Sequence, residues 1–253
     1  MPLILHAQRE IILKVVYYGP GLGGKTTNLH SIHDNSHPAR RGKLLSVMTA
    51  AERTLFLDFL PMDLGRFRGY DVRMHICSVP GQIAQDTSRQ LALKNVDGLV
   101  LVVDSQAERL DANHYSVRNL DYNLRLQGID PDRLPLTVQY NKRDLPNILP
   151  VESLREQLGV PEGVPEHEAC ARTGEGVFET VKSIVRACLR EIGDPQTLAE
   201  GRVRCELPEP RARFYPRGPV SMIHALRPDE AFEDTAFEDT ALDVLGSAKA
   251  EQG

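Results

Sequence analysis

Apolar and polar positions along the chain fall into short strands separated by helical stripes. Residues 11–18 (IILKVVYY) form a β-rich run that stops at Gly19. TTNLHSIH follows a glycine-rich loop, so this part predicts strand, loop and helix. Residues 54–60 (TLFLDFL) and 72–79 (VRMHICSV) alternate in part. A turn region containing Gly65 and Gly69 divides them, and the pair reads as an antiparallel hairpin. Residues 98–103 (GLVLVV) are almost continuously apolar, as in a strand covered on both faces. Residues 136–140, entered from Pro135, predict one more strand. Val117, Leu120 and Leu124 recur at helical spacing before a stop at Gly128. Val177, Val181, Ile184, Val185, Cys188, Leu189 and Ile192 make the apolar stripe of a long helix, which Gly193 and Pro195 end. Strands alternating with helices after one hairpin predict an α/β fold with a mostly parallel sheet.

After residue 195 this pattern lapses. Pro195, Pro208, Pro210, Pro216 and Pro219 interrupt a stretch carrying Arg202, Arg204, Arg211, Arg213 and Arg217. An acidic segment follows in which AFEDT occurs twice in tandem, with Phe232 and Phe237 as the apolar positions. The expected division is a folded domain over residues 1–194 and a Pro/Arg-rich, then acidic tail over 195–253. The tail offers too few apolar residues to offset the entropy of ordering, so disorder is expected there.

Composition changes the picture only by exclusion. A net charge of −5 argues against a dedicated nucleic-acid binder. No apolar run reaches the ~20 residues that cross a bilayer, and MPLILHAQRE has neither a basic region nor a cleavage site of a signal peptide. Cys77, Cys170, Cys188 and Cys205 have no paired spacing and read as reduced thiols of a cytoplasmic protein.

The chemistry lies in the loops. Residues 19–26 read GPGLGGKT, which fits G-x-x-x-x-G-K-[ST] between a strand and a helix. Gly19, Gly21, Gly23 and Gly24 let successive N–H groups face phosphate oxygens, and the helix adds its positive end, with Thr27 in the first turn. Lys25 is expected to reach the β- and γ-phosphates, and Thr26 to offer a hydroxyl to Mg²⁺. Residues 141–144 read NKRD at the end of a strand. Asp144 can accept from guanine N1–H and the exocyclic amine, a donor pair that adenine lacks. Leaving that carboxylate unpaired would cost roughly 1–3 kcal/mol. Asn141 can bridge the purine and the phosphate loop, and the Lys142 stem can lie along the base. A backbone N–H from Cys170 or Ala171 is the weaker candidate for guanine O6.

Together GPGLGGKT, ERTLFLDFLP, SVPGQ, VDSQAERL and QYNKRDLPN resemble the MglA family of bacterial Ras-like small GTPases, over residues 10–193. The resemblance implies a Ras-like fold with a six-stranded sheet flanked by helices and a GDP/GTP cycle. Its implied partners are a roadblock/longin-type activating protein, an exchange factor, and polarity or cytoskeletal effectors of the GTP state. It also implies control of gliding motility or cell polarity. The expected location is the cytoplasm, with recruitment to a cell pole or the inner membrane surface left open.

Hydrolysis needs positioning and charge stabilisation. Gly81 is expected to supply an N–H near the γ-phosphate and Gln82 to orient the attacking water. By resemblance, Arg53 is an arginine finger supplied in cis. Thr54 is the chosen γ-phosphate and Mg²⁺ sensor, with Thr49 as competitor. Ser78 stands where most Ras-like proteins carry the aspartate of D-x-x-G, while MglA relatives commonly carry threonine. A serine brings no negative charge, so weak Mg²⁺ retention and slow, partner-dependent hydrolysis are expected.

His30, His33 and His37 have the spacing of a metal site but no acidic or cysteine complement, and are expected as solvated helix-end residues. Asp104 and Ser105 are expected only to end their strand. A GTP-binding scaffold with negligible hydrolysis, working through the tail, is the alternative from another class. A P-loop ATPase is opposed by NKRD.

Overall fold

A computed structural model describes residues 2–47, 57–79 and 86–193. Its strands are β1 (Leu3–Leu5), β2 (Glu10–Tyr18), β3 (Leu45–Val47), β4 (Leu57–Phe67), β5 (Tyr70–Ser78), β6 (Gly98–Asp104), β7 (Leu136–Asn141) and β8 (Glu166–Glu168). Its helices are α1 (Lys25–Asn35), α2 (Asp86–Leu93), α3 (Leu110–Leu126), α4 (Val151–Leu158) and α5 (Val177–Ile192).

All eight strands join one sheet in the order β3-β4-β5-β2-β6-β7-β8, with β1 paired to the start of β2. The run β4-β5-β2-β6-β7-β8 supplies the six strands that the Ras-like expectation names. β1 and β3 add three residues each. From β5 to β8 neighbours are parallel, and β4 with β5 is the antiparallel hairpin. The hairpin is tighter than expected. Its turn is Arg68–Gly69, both with positive φ, while Gly65 lies inside β4 where the register shifts by a bulge.

Alternation along β2 explains the two layers. Ile11, Leu13, Val15 and Tyr17 face α1 and α5, together with Leu29, Ile32, Val181, Ile184 and Val185. Val16 and Tyr18 face the opposite layer, where Leu93, Val117, Leu120, Leu124 and Leu154 come from α2, α3 and α4. Every residue of β6 is buried, which is why that strand reads as an unbroken apolar run. Each buried Leu, Ile or Val contributes roughly 1.5–3 kcal/mol relative to exposure, so the α5 stripe alone fixes that helix on the sheet.

This topology places three loops side by side. β2 has parallel neighbours on both sides, and the chain leaves β2, β6 and β7 at the same edge of the sheet. Ligands of open α/β sheets bind beyond this carboxyl edge. Among the described residues, no helix is long and apolar enough to cross a membrane. The tail expected over 195–253 lies outside the described residues.

Candidate nucleotide and metal site

The loop after β2 wraps tightly. A Cβ on Gly19 would meet the Val102 carbonyl oxygen at 2.3 Å, and one on Gly24 would meet Asn141 Nδ2 at 2.2 Å. Gly24 also has φ 94° and is the N-cap of α1. No side chain caps this helix and no acid lies in its first turn. Its leading N–H groups and positive dipole end are therefore available to an anion. Leu22 stands outward at 86% exposure, and the Gly21 carbonyl accepts from Arg109 Nη2 at 2.6 Å.

Lys25 is buried and turned into its own loop. Its Nζ donates to the Gly19 carbonyl at 3.0 Å and to the Pro20 carbonyl at 2.7 Å. Burial pushes its pKa down to about 7; the nearby Arg89 charge adds to this and Asp58 opposes it. Thr26 and Thr27 are exposed in the first turn. Two phosphate oxygens replacing two loop carbonyls would keep the ammonium bonded and supply the charge it now lacks.

The base side is tied to this loop by one residue. Asn141, 1% exposed at the end of β7, donates from Nδ2 to the Gly23 carbonyl at 2.8 Å. Its Oδ1 accepts from the Ala171 N–H at 2.9 Å. Lys142 is in the left-handed region at φ 67°, and its Nζ donates to Asp104 Oδ2 at 2.6 Å and Gln106 Oε1 at 3.2 Å. Asp104 is fully buried, so it fixes the lysine rather than merely ending its strand. Asp144 accepts from Arg172 Nη2 at 2.9 Å. The Cys170 thiol bonded to Asp144 is the largest influence holding its pKa down, with Arg172 adding to it.

The two donors named for guanine O6 are engaged within the protein. The Cys170 N–H donates to the Glu175 carbonyl at 2.9 Å and the Ala171 N–H to Asn141. Both donors hold the loop itself.

A second cluster surrounds Ser78. Its Oγ donates to Asp58 Oδ2 at 2.8 Å, Thr26 Oγ1 donates to the same oxygen at 2.7 Å, and Ser46 Oγ donates to Oδ1 at 2.8 Å. Burial alone would raise the Asp58 pKa; the three hydroxyls outweigh it and leave the group lowered. Thr49, Arg53, Thr54, Gly81 and Gln82 lie outside the described residues. Among those described, no three His, Cys, Asp or Glu side chains group as a metal centre. His33 Nδ1 instead meets Asp34 Oδ1 at 2.8 Å, and His37 Nδ1 accepts from the Ala39 N–H.

No family model matches the chain. It is 50% identical over 192 residues to the mutual gliding-motility protein MglA of Myxococcus xanthus, a match that covers 76% of this chain and 98% of that protein. The chain belongs to the MglA family. It is also 28% identical over 184 residues to the human ADP-ribosylation factor-like protein 4C, covering 70% of this chain and 88% of that one. Elongation factor 4 of Thermus thermophilus is 30% identical over 179 residues, covering 59% of this chain but only 27% of its own length. MglA-family membership and the Arf-like match place the chain among the small GTPases.

Four residues around this MglA-family site were not legible as part of it. Arg172 carried no motif signal. Asp104 and Arg109 lie inside the VDSQAERL stretch, but Asp104 is 38 positions from the lysine it holds. Asp58 was hidden inside an apolar strand. The signal that could have found it is a charged residue interrupting the TLFLDFL run.

Proposed function

We propose that this MglA-family chain binds GTP and GDP with Mg²⁺, hydrolyses GTP to GDP and phosphate, and acts as a switch through nucleotide-dependent partner binding. The observation that carries this reading is the Asn141 tie. It joins the NKRD loop to Gly23 of the phosphate loop, so base and phosphates of one nucleotide would be held by one connected frame. Asp144 reads guanine and Lys142 flanks the base. Gly19, Gly21, Gly23, Gly24, Lys25, Thr26 and Thr27 hold the phosphates.

The donor set also suits a hard cation. Thr26 and Thr54 offer hydroxyl oxygens, the kind Mg²⁺ takes while keeping several waters. When bound, Mg²⁺ neutralises charge between the β- and γ-phosphates. In this reading Gln82 would orient the attacking water, Gly81 would donate an N–H to the γ-phosphate, and Lys25 and Arg53 would balance the negative charge that develops. An arginine in this role is worth roughly 10³–10⁵ in rate. The output is control of gliding motility or cell polarity, from the cytoplasm, a pole or the inner membrane surface. A roadblock/longin-type activator, an exchange factor and GTP-state effectors are the proposed partners.

The test is chromatography of bound nucleotide after incubation with GTP or ATP and Mg²⁺, followed by pull-down on the GTP-analogue and GDP forms. Guanine-selective turnover, with a small roadblock-type protein recovered only in the GTP state, is expected. Equal use of ATP, or identical partners in both states, would overturn the reading.

A further inference from the structure

Ser78 leaves the metal side of the site without the carboxylate that Ras-like proteins carry at that position. The sheet register puts one beside it. Asp58 of β4 is the Cα partner of Ser78 on β5, and Ser46 on β3 is the Cα partner of Asp58 on its other side. Paired residues on neighbouring strands present side chains to the same face. Ser46, Asp58 and Ser78 therefore form a row across three strands, and the row ends at α1. Thr26, the hydroxyl expected on the metal, is 2.7 Å from Asp58 Oδ2.

The charge on this carboxylate is the telling feature. Asp58 is half removed from solvent, yet among the described residues it forms no ion pair; its contacts are the hydroxyls of Thr26, Ser46 and Ser78. Hydroxyls from three separate elements converge on this one carboxylate. Three neutral donors aim both oxygens, while the nearby positive groups, His30 and Lys25, act on the carboxylate only through space and none touches it. That is the arrangement expected when the counter-charge is a bound cation.

We infer that Asp58 supplies the carboxylate of the Mg²⁺ site in place of residue 78, directly or through one metal-bound water, and that Ser46 and Ser78 are positioning residues which aim it. The inference rests on the guanine-nucleotide function proposed above. It replaces the expectation of weak Mg²⁺ retention that rests on Ser78 alone: the serine is engaged with the aspartate.

The test reads metal affinity, not turnover. Release of a fluorescent GDP from the full chain is followed across a Mg²⁺ titration. Asp58→Asn keeps the size and one acceptor oxygen while removing the charge, and is expected to raise the half-effective Mg²⁺ concentration by about 10- to 100-fold. Ser78→Ala keeps the carboxylate and is expected to shift it only a few-fold. The exchange Asp58→Ser with Ser78→Asp returns the carboxylate from the neighbouring strand and is expected to restore most of the loss.

An unchanged titration in Asp58→Asn overturns the inference alone, as does Mg²⁺-independent release from the wild type. A wild type that binds no guanine nucleotide overturns the proposed function as well. If Asp58→Asn fails to fold, a crystal structure of the wild-type GDP–Mg²⁺ complex decides. An Asp58 oxygen within about 4 Å of the metal, one metal–water bond and one hydrogen bond away, supports the inference. A carboxylate turned away from the metal overturns it.

Discussion

The two halves of the candidate site are built differently. On the base side, Asn141, Lys142 and Asp104 are buried or half-buried and satisfied by one another, by the loop after β8 and by the Gly23 carbonyl of the phosphate loop. On the phosphate side, groups with the chemistry to hold a ligand are bonded to each other. Lys25 donates to carbonyls of its own loop, and Asp58 gathers hydroxyls from α1, β3 and β5. The difference teaches where a ligand can do work. Contacts that must be exchanged on binding can differ between GTP and GDP, while contacts that persist can only report that a guanine is present.

The largest effect is expected from breaking the phosphate side. Lys25→Met should lower GDP affinity by about 100-fold in titration with a fluorescent analogue, in line with the 1.5–3 kcal/mol of a hydrogen bond to a charged group. The same variant sharpens the comparison through pH. With a pKa of about 7 in the folded chain against 10.5 unfolded, Lys25 binds fewer protons folded than unfolded between those values. Stability of nucleotide-free protein should therefore rise with pH across that window, by up to about 1.4 kcal/mol per unit. Melts of Lys25→Met should lack this contribution.

The next effect lies on the fixed side. Asn141→Ala removes the tie between the two loops and leaves the Gly23 carbonyl and Ala171 N–H without it. It should cost about 1–3 kcal/mol in urea unfolding and weaken GDP and GTP equally. Lys142→Met strands the Asp104 carboxylate, with Arg109 Nε at 3.7 Å as the remaining cation. It should destabilise by about 1–3 kcal/mol, and a melting curve unchanged from wild type would count against a fixed base side. The smallest effect is expected from Arg172→Ala. Arg172 is 79% exposed, so its bond to Asp144 should be worth no more than about 1 kcal/mol, read as a change of a few-fold or less in GDP release.

Legibility in the sequence followed the same divide. β6 could be read because burial on two faces leaves a continuous apolar run, β2 and β7 because β-rich stretches are bounded by Gly19 and Pro135, and α5 because its stripe is strongly amphipathic. The phosphate loop and NKRD could be read because each packs its chemistry into adjacent residues. β1 and β3, at three residues each, are too short to carry a period, and the eight-residue α2 and α4 give little more than two turns. Gly65 looked like a turn because a bulge and a turn both call for glycine. Asp58 was missed for a deeper reason: its partners are set by register between strands, and register is not written in any one stretch of chain. The assignments to Arg53, Thr54, Gly81 and Gln82 remain those of motif and resemblance.

The most direct test of the divided site is hydrogen exchange by mass spectrometry on the full chain, loaded in turn with GDP and with a non-hydrolysable GTP analogue. The account predicts differences between the two states across residues 19–27, 36–47 and 57–79. It predicts matching exchange across residues 136–144 and 166–176. Differences of equal size on the base side, or identical exchange everywhere, would contradict it.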